Sequence, residues 1–176
     1  MFAITIFAGL AFAETVTTTV HFNVPTITSF TVTLPGVAAV ASGATADIEF
    51  NSTTGTQVQV NASVVSASAS AQTDSVPIFV YTNTGNVGIN LNLSLDTVQA
   101  GVNVTASNTF AGYEAICTST ALPDSGKCVN VTASSVRVAG SLAAAGTQNV
   151  WMWAKFAGVA GGTAVTKTLT HTSAAS

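Results

Sequence analysis

Val87-Gly-Ile-Asn-Leu-Asn-Leu-Ser-Leu-Asp96 alternates without a break: Val87, Ile89, Leu91, Leu93 and Leu95 share one parity, and Gly88, Asn90, Asn92, Ser94 and Asp96 share the other. Successive side chains of a β-strand point to opposite faces, so the pattern sets an apolar row against a row of small and polar groups. A helix would scatter both rows around its circumference. The stretch therefore predicts an antiparallel strand with one face on a core and the other toward solvent. Thr82-Asn-Thr-Gly-Asn86 in front of it reads as a turn, and Val76 to Tyr81 as a compact apolar strand leading into that turn.

The same period of two recurs on both sides. Upstream, Val58, Val60, Ala62 and Val64 alternate with Gln57, Gln59, Asn61 and Ser63, a run from Ala44 to Phe50 ends at Asn51-Ser-Thr-Thr-Gly55, and Ile27, Phe30, Val32 and Leu34 precede Pro35-Gly36. Downstream, strands are expected at Val102 to Ala106, Phe110 to Cys117, Cys128 to Val138, Asn149 to Phe156 and Ala164 to Thr172. No segment sustains helical periodicity; Val37 to Ala46 and Ser141 to Gly146 come nearest, and both are short. About nine to eleven short strands without helices predict an all-β fold, a two-sheet sandwich of immunoglobulin-like or jelly-roll type, with a closed barrel as the alternative.

A length of 176 residues suits one domain with a substantial core. Charged residues make up only 6% of the chain, against roughly a quarter in ordinary domains, so its surface must consist of hydroxyls and amides. Lys127, Arg137, Lys155 and Lys167 are all the cations there are, too few to neutralise a run of phosphates, and nucleic acid is not an expected partner. A formal charge of −3 gives little colloidal repulsion, so something other than ions is expected to keep the chain dispersed. With seven carboxylates in all, the fold is also expected to tolerate acid, since acid unfolding acts mainly by protonating paired carboxylates.

Covalent sugar would supply the dispersal, because Asn-x-Ser/Thr occurs at Asn51, Asn61, Asn92, Asn103 and Asn130. Asn61, Asn92, Asn103 and Asn130 lie on the polar parity of alternating strands and Asn51 opens a turn, so all five are expected to face solvent, as a glycan requires. Cys117 and Cys128 flank a turn-rich loop, Leu122-Pro-Asp-Ser-Gly126, and are read as one disulfide of an exported protein; a metal pair or a catalytic thiol is the alternative. Catalysis finds little footing: His21 and His171 sit near opposite ends, no Gly-x-Ser-x-Gly elbow occurs, and Asp47 and Glu49 read more simply as a solvated pair than as calcium ligands. No catalytic, metal or cofactor site is therefore expected. Trp151, Trp153 and Lys155 share one face of the strand that carries them.

The segment from Met1 to Val24 divides from the domain expected over residues 25 to 176. It is strongly apolar yet too short for a transmembrane anchor, which needs about 20 apolar residues. Phe2, Ile4, Ile6, Leu10 and Phe12, and after them Val16, Val20, Phe22 and Val24, fall on even positions, so it reads as extended strand with one apolar edge that a neighbouring copy would receive. Residues 1 to 13 also match the tail of a secretory signal, with Ala11-Phe12-Ala13 at the cleavage site. The free strand is then residues 2 to 12 if the run is kept, or residues 15 to 24 if it is cut. Both alternatives place the protein outside the cell.

These features together, with Asn149-Val-Trp-Met-Trp-Ala154, the Gly-rich turn after it and Thr166-Lys-Thr-Leu-Thr-His-Thr172, resemble the subunits of archaeal extracellular filaments, the threads and bundling pili. The resemblance implies that each subunit lends its N-terminal strand, here Met1 to Val24, to a groove in the next, so that the partners are other copies of the chain. A different class of function remains open beside it: a monomeric secreted adhesin or carbohydrate-binding module, in which Trp151, Trp153 and Tyr113 stack on glycans or cell surfaces.

Overall fold

The computed structural model describes residues 25–37, 40–41, 46–57, 59–65, 71–108, 110 and 128–176. Twelve strands occur among them: β1 (Phe30–Thr33), β2 (Val40–Ala41), β3 (Ile48–Glu49), β4 (Val60–Asn61), β5 (Ser63–Val64), β6 (Phe79–Asn83), β7 (Ile89–Leu95), β8 (Val102–Ser107), β9 (Val129–Val131), β10 (Val136–Leu142), β11 (Thr147–Phe156) and β12 (Leu169–Ala175). No helix occurs among the described residues, and every strand pairing is antiparallel. A larger sheet runs β2-β1-β6-β11-β8-β9 with β4 also on β11, a smaller one runs β10-β7-β12, and β3 pairs β5 in a short ladder. The expected all-β sandwich is what forms. A closed barrel is not, because the described strands of the two main sheets share no ladder.

The alternation at 87–96 does what its pattern requires. Ile89, Leu91 and Leu93 on central strand β7 are 0–1% exposed, while Asn90, Asn92 and Ser94 on the other face are half-buried. Each such aliphatic side chain contributes about 1.5–3 kcal/mol on burial. Across the sandwich they meet Phe30 and Val32 of β1, Phe79 and Tyr81 of β6, and Val150 and Met152 of β11 in one core cluster.

Strand β11 holds the larger sheet together. Along one edge β8 pairs with Trp151 to Phe156. The other edge is shared in sequence: β6 takes Thr147 to Val150, and β4 takes Trp153 and Ala154. Between them the side chain of Gln72, 1% exposed, fills the gap as a strand would: its Nε2 donates to Met152 O (2.6 Å) and its Oε1 accepts from Met152 N (2.8 Å). Buried backbone groups need partners, and here a side-chain amide supplies them.

Several strand limits differ from those read off the sequence, each for a local reason. The run at 59–65 changes partners, Val60 and Asn61 pairing β11, then Ser63 and Val64 pairing β3. Strand β6 begins at Phe79 and not Val76, because Pro77 has no N–H to give a ladder and residues 73–76 close a turn through Thr73 N to Val76 O (2.9 Å). The stretch from Cys128 splits at residues 132–135 into β9 and β10. Strand β12 starts at Leu169 and not Ala164, since its partner β7 ends at Leu95, the residue opposite Leu169.

Candidate functional site

Two surfaces matter, and the register of the sheets builds both. On the larger sheet, Asn61, Trp153, Thr105 and Asn130 lie opposite one another across β4, β11, β8 and β9. Directly opposed residues project from the same face. Trp151 opposite Ser107 and Lys155 opposite Asn103 extend this face, while Met152 and Ala154 point the other way into the sandwich.

The middle of this outer face is covered. Trp153 is 0% and Trp151 7% exposed, packed with Cys128 and Phe110 in a second apolar cluster. The Phe110 ring lies 5.9 Å from Trp151 and 6.0 Å from Trp153, both tilted, and Trp151 Nε1 donates to Thr73 O at 2.9 Å. Stacking on a sugar needs a ring face in solvent, so these two indoles form no such platform. Tyr113, the third member of that set, lies outside the described residues, as does Cys117. The covering was foreshadowed: Val150 to Ala154 is apolar at every position, the pattern of a strand buried on both faces.

The five sequons do not share one environment. Asn51, Asn61, Asn103 and Asn130 are exposed, as expected, but Asn92 is only half-buried, flanked on central strand β7 by Arg137 of β10 and Thr172 of β12. Asn92 thus keeps to the outer face but is less exposed than the other four. Polar parity marks the outer face, but a central strand has neighbours on both sides. Asn51 and Asn61 line one open polar groove with Gln57, Gln59, Ser63 and Ala71.

The second surface is the β12 side of the smaller sheet. Among the described residues β12 pairs only with β7. Its inward-facing residues Leu169, His171 and Ser173 remain half-buried, although the β7 residues opposite the last two, Leu93 and Leu91, are fully enclosed. His171 Nδ1 sits 2.7 Å from the Tyr81 hydroxyl of β6, and its ring meets Phe79 edge to face at 4.9 Å. Burial pushes the imidazole down from 6.5 to about 4 and the Tyr81 phenol well above its ordinary 10. This contact ties β12 to the opposite sheet. Sequence reading set His171 aside as an isolated histidine, although Thr168, Thr170 and Thr172 alternating with Leu169 and His171 mark it as inward.

The remaining candidates stay apart. Asp47 is exposed and Glu49 half-buried near the β3–β5 ladder, and among the described residues no three His, Cys, Asp or Glu side chains gather where a metal could bind. Among those same residues no helix is long and apolar enough to cross a membrane. The apolar row Phe2, Ile4, Ile6, Leu10, Phe12, Val16, Val20, Phe22 and Val24 lies outside the described residues. Comparison with known protein families, curated proteins and solved structures finds no match to this chain.

Proposed function

We propose that the chain is a non-enzymatic structural subunit of an extracellular, surface-glycosylated filament, joined head to tail when the N-terminal strand of one copy adds to the β12 edge of the next. The observation that carries this reading is the edge itself. Strand β12, Leu-Thr-His-Thr-Ser-Ala-Ala over seven residues, has neither proline nor charge, the devices that keep exposed edges from pairing with other chains. Beside it the inward side chains are only half-covered, as a groove awaiting a strand would leave them. Residues 16 to 24 carry Val16, Val20, Phe22 and Val24 on one parity and span enough chain to run the full length of β12. Strand addition of this kind uses backbone hydrogen bonds for affinity and alternate side chains for register. A head-to-tail contact does not close on itself, so it propagates a fibre.

A disulfide between Cys117 and Cys128 belongs to the same proposal. Cys128 is buried against Trp151 and Trp153, so a bridge would anchor Cys117 to that apolar cluster. Negative-stain microscopy of native material and of a chain lacking residues 1 to 24 tests the filament. The intact chain should give filaments and the truncated one none. Ile6→Asp and Phe22→Asp separate the two registers, because only the inserted strand must lie in an apolar groove. Filaments that persist without residues 1 to 24 would remove the proposal.

A further inference from the structure

The sequons that can carry sugar in the native fold are not distributed over the whole molecule. We infer that the N-linked oligosaccharides occupy Asn51, Asn61, Asn103 and Asn130 but not Asn92, so that the coat clothes the β4–β11–β8–β9 side of the sandwich and leaves the outer face of the smaller sheet bare. The inference rests on the proposed glycosylation and sharpens it to individual positions.

Geometry separates the two groups. Whatever the order of modification and folding, the native chain can hold an oligosaccharide only where the carboxamide nitrogen reaches solvent with room for a pyranose beside it. Asn61 and Asn130 are exposed and bracket Trp153 and Thr105 in one cross-strand row. Neighbouring strands lie about 4.8 Å apart, which puts these two anchors about 14 Å from each other. Asn103 is exposed two residues before Thr105 on β8, opposite the exposed Lys155, within about 7 Å of that row. Asn51 is exposed on the groove it shares with Asn61. At Asn61 the side-chain contact with Gln72 Nε2, at 3.5 Å, falls on the carboxamide oxygen and not on the nitrogen that bonds to sugar.

Asn92 is built differently. It sits mid-strand on β7, the middle strand of its sheet, and is half-buried with Arg137 on one side and Thr172 on the other. Asn90, its neighbour on the same face, has its Oδ1 engaged by Ser141 N at 3.1 Å, so this face is knitted across its strands. An oligosaccharide at Asn92 would have to leave the sheet between Arg137 and Thr172 from a carboxamide already half-buried.

Peptide mass mapping of the protein isolated from its own source, after digestion with a protease of broad specificity, tests the assignment. Peptides holding Asn51, Asn61, Asn103 and Asn130 should carry added mass and the Asn92 peptide should not. Asn61→Gln and Asn130→Gln should each lower the intact mass by one oligosaccharide, and Asn92→Gln should not. A modified Asn92, or a bare peptide at any of the other four, overturns the inference. Microscopy keeps this apart from the filament reading: filaments of bare subunits would sink the coat alone, and glycosylated discrete particles would sink the polymer alone.

Discussion

Seven carboxylates give acid little to act on, but His171 is an exception that should lower stability as pH falls, in a range set by burial. His171 is the inward residue of β12 that reaches across to Tyr81, and burial lowers its pKa from 6.5 to about 4. Above pH 6.5 the imidazole is neutral in both states, and the histidine adds no pH dependence. As pH falls from 6.5 toward 4, the unfolded chain takes up a proton that the folded chain refuses. The unfolded state then binds more protons, so stability falls with falling pH, and the loss levels off below about pH 4. At about 1.36 kcal/mol for each pH decade between those values, the full loss is about 3 kcal/mol. That is a large part of the 5–15 kcal/mol or so that holds a typical domain folded.

His171→Asn isolates this contribution, because an asparagine amide atom stands about where Nδ1 does, can still hydrogen-bond to the Tyr81 hydroxyl and does not titrate. Urea unfolding of both chains at about pH 7 and about pH 3.5 gives the four free energies required. Carboxylate titration is common to both proteins and cancels in the difference. The parent should lose about 3 kcal/mol more than the variant over that interval. Nuclear magnetic resonance of the imidazole ring protons should place the midpoint of His171 near 4 in the folded chain. Parallel pH profiles for the two proteins, or a folded-state midpoint near 6.5, would refute the reasoning.

Three further perturbations test how the sandwich is held. Gln72→Leu removes both bonds to Met152 and leaves the buried Met152 N–H without its acceptor; it should cost about 1–3 kcal/mol in urea unfolding and loosen the Thr73 contact to Trp151, seen as a red shift in tryptophan emission. Asn83→Ala should cost about 2–3 kcal/mol by the same measurement, because the Asn83 amide donates to Val87 O (2.8 Å) and Leu142 O (2.9 Å) while its oxygen accepts from Gly85 N (2.9 Å). Gly55→Ala should lower stability by about 1–3 kcal/mol, since a Cβ there would stand 1.9 Å from the Val159 carbonyl oxygen. Gly161→Ala, with nothing within 4 Å of the added carbon, should leave stability unchanged or raise it by up to about 1 kcal/mol.

The β7 strand was legible because one observable, parity, decides both its conformation and its buried face. It needs only that Ile89, Leu91 and Leu93 meet some apolar layer, whichever strands supply it. Strand limits were less legible because a strand extends only as far as its partner, as β12 shows by starting opposite the end of β7. The same limit applies to sequons. Parity correctly placed Asn92 on an outer face, but its exposure depends on Arg137 and Thr172, which lie 45 and 80 positions away in the chain.

Buried polar residues were the least legible, and they bear most on how the edges are managed. Gln72 and Asn83 both stand in stretches rich in Ser, Thr, Asn and Gly, where they read as loop and turn. Their roles come from partners remote in sequence: Met152 for Gln72 and Leu142 for Asn83. In each case a side-chain amide occupies a position where backbone would otherwise lack a partner, and that is how the chain closes the edge of β11 between β6 and β4. The contrast with β12 follows. A sequence that spends a fully buried glutamine to satisfy one residue of β11 gives the seven residues of β12 neither proline nor charge and, among the described residues, no amide of this kind along them. On the physics of exposed strands, a long edge without proline or charge is suited to receive another strand, and the proposed polymer contact is assigned to β12 because the other charge-free end strands of the two main sheets, β2 and β9, are only two and three residues long.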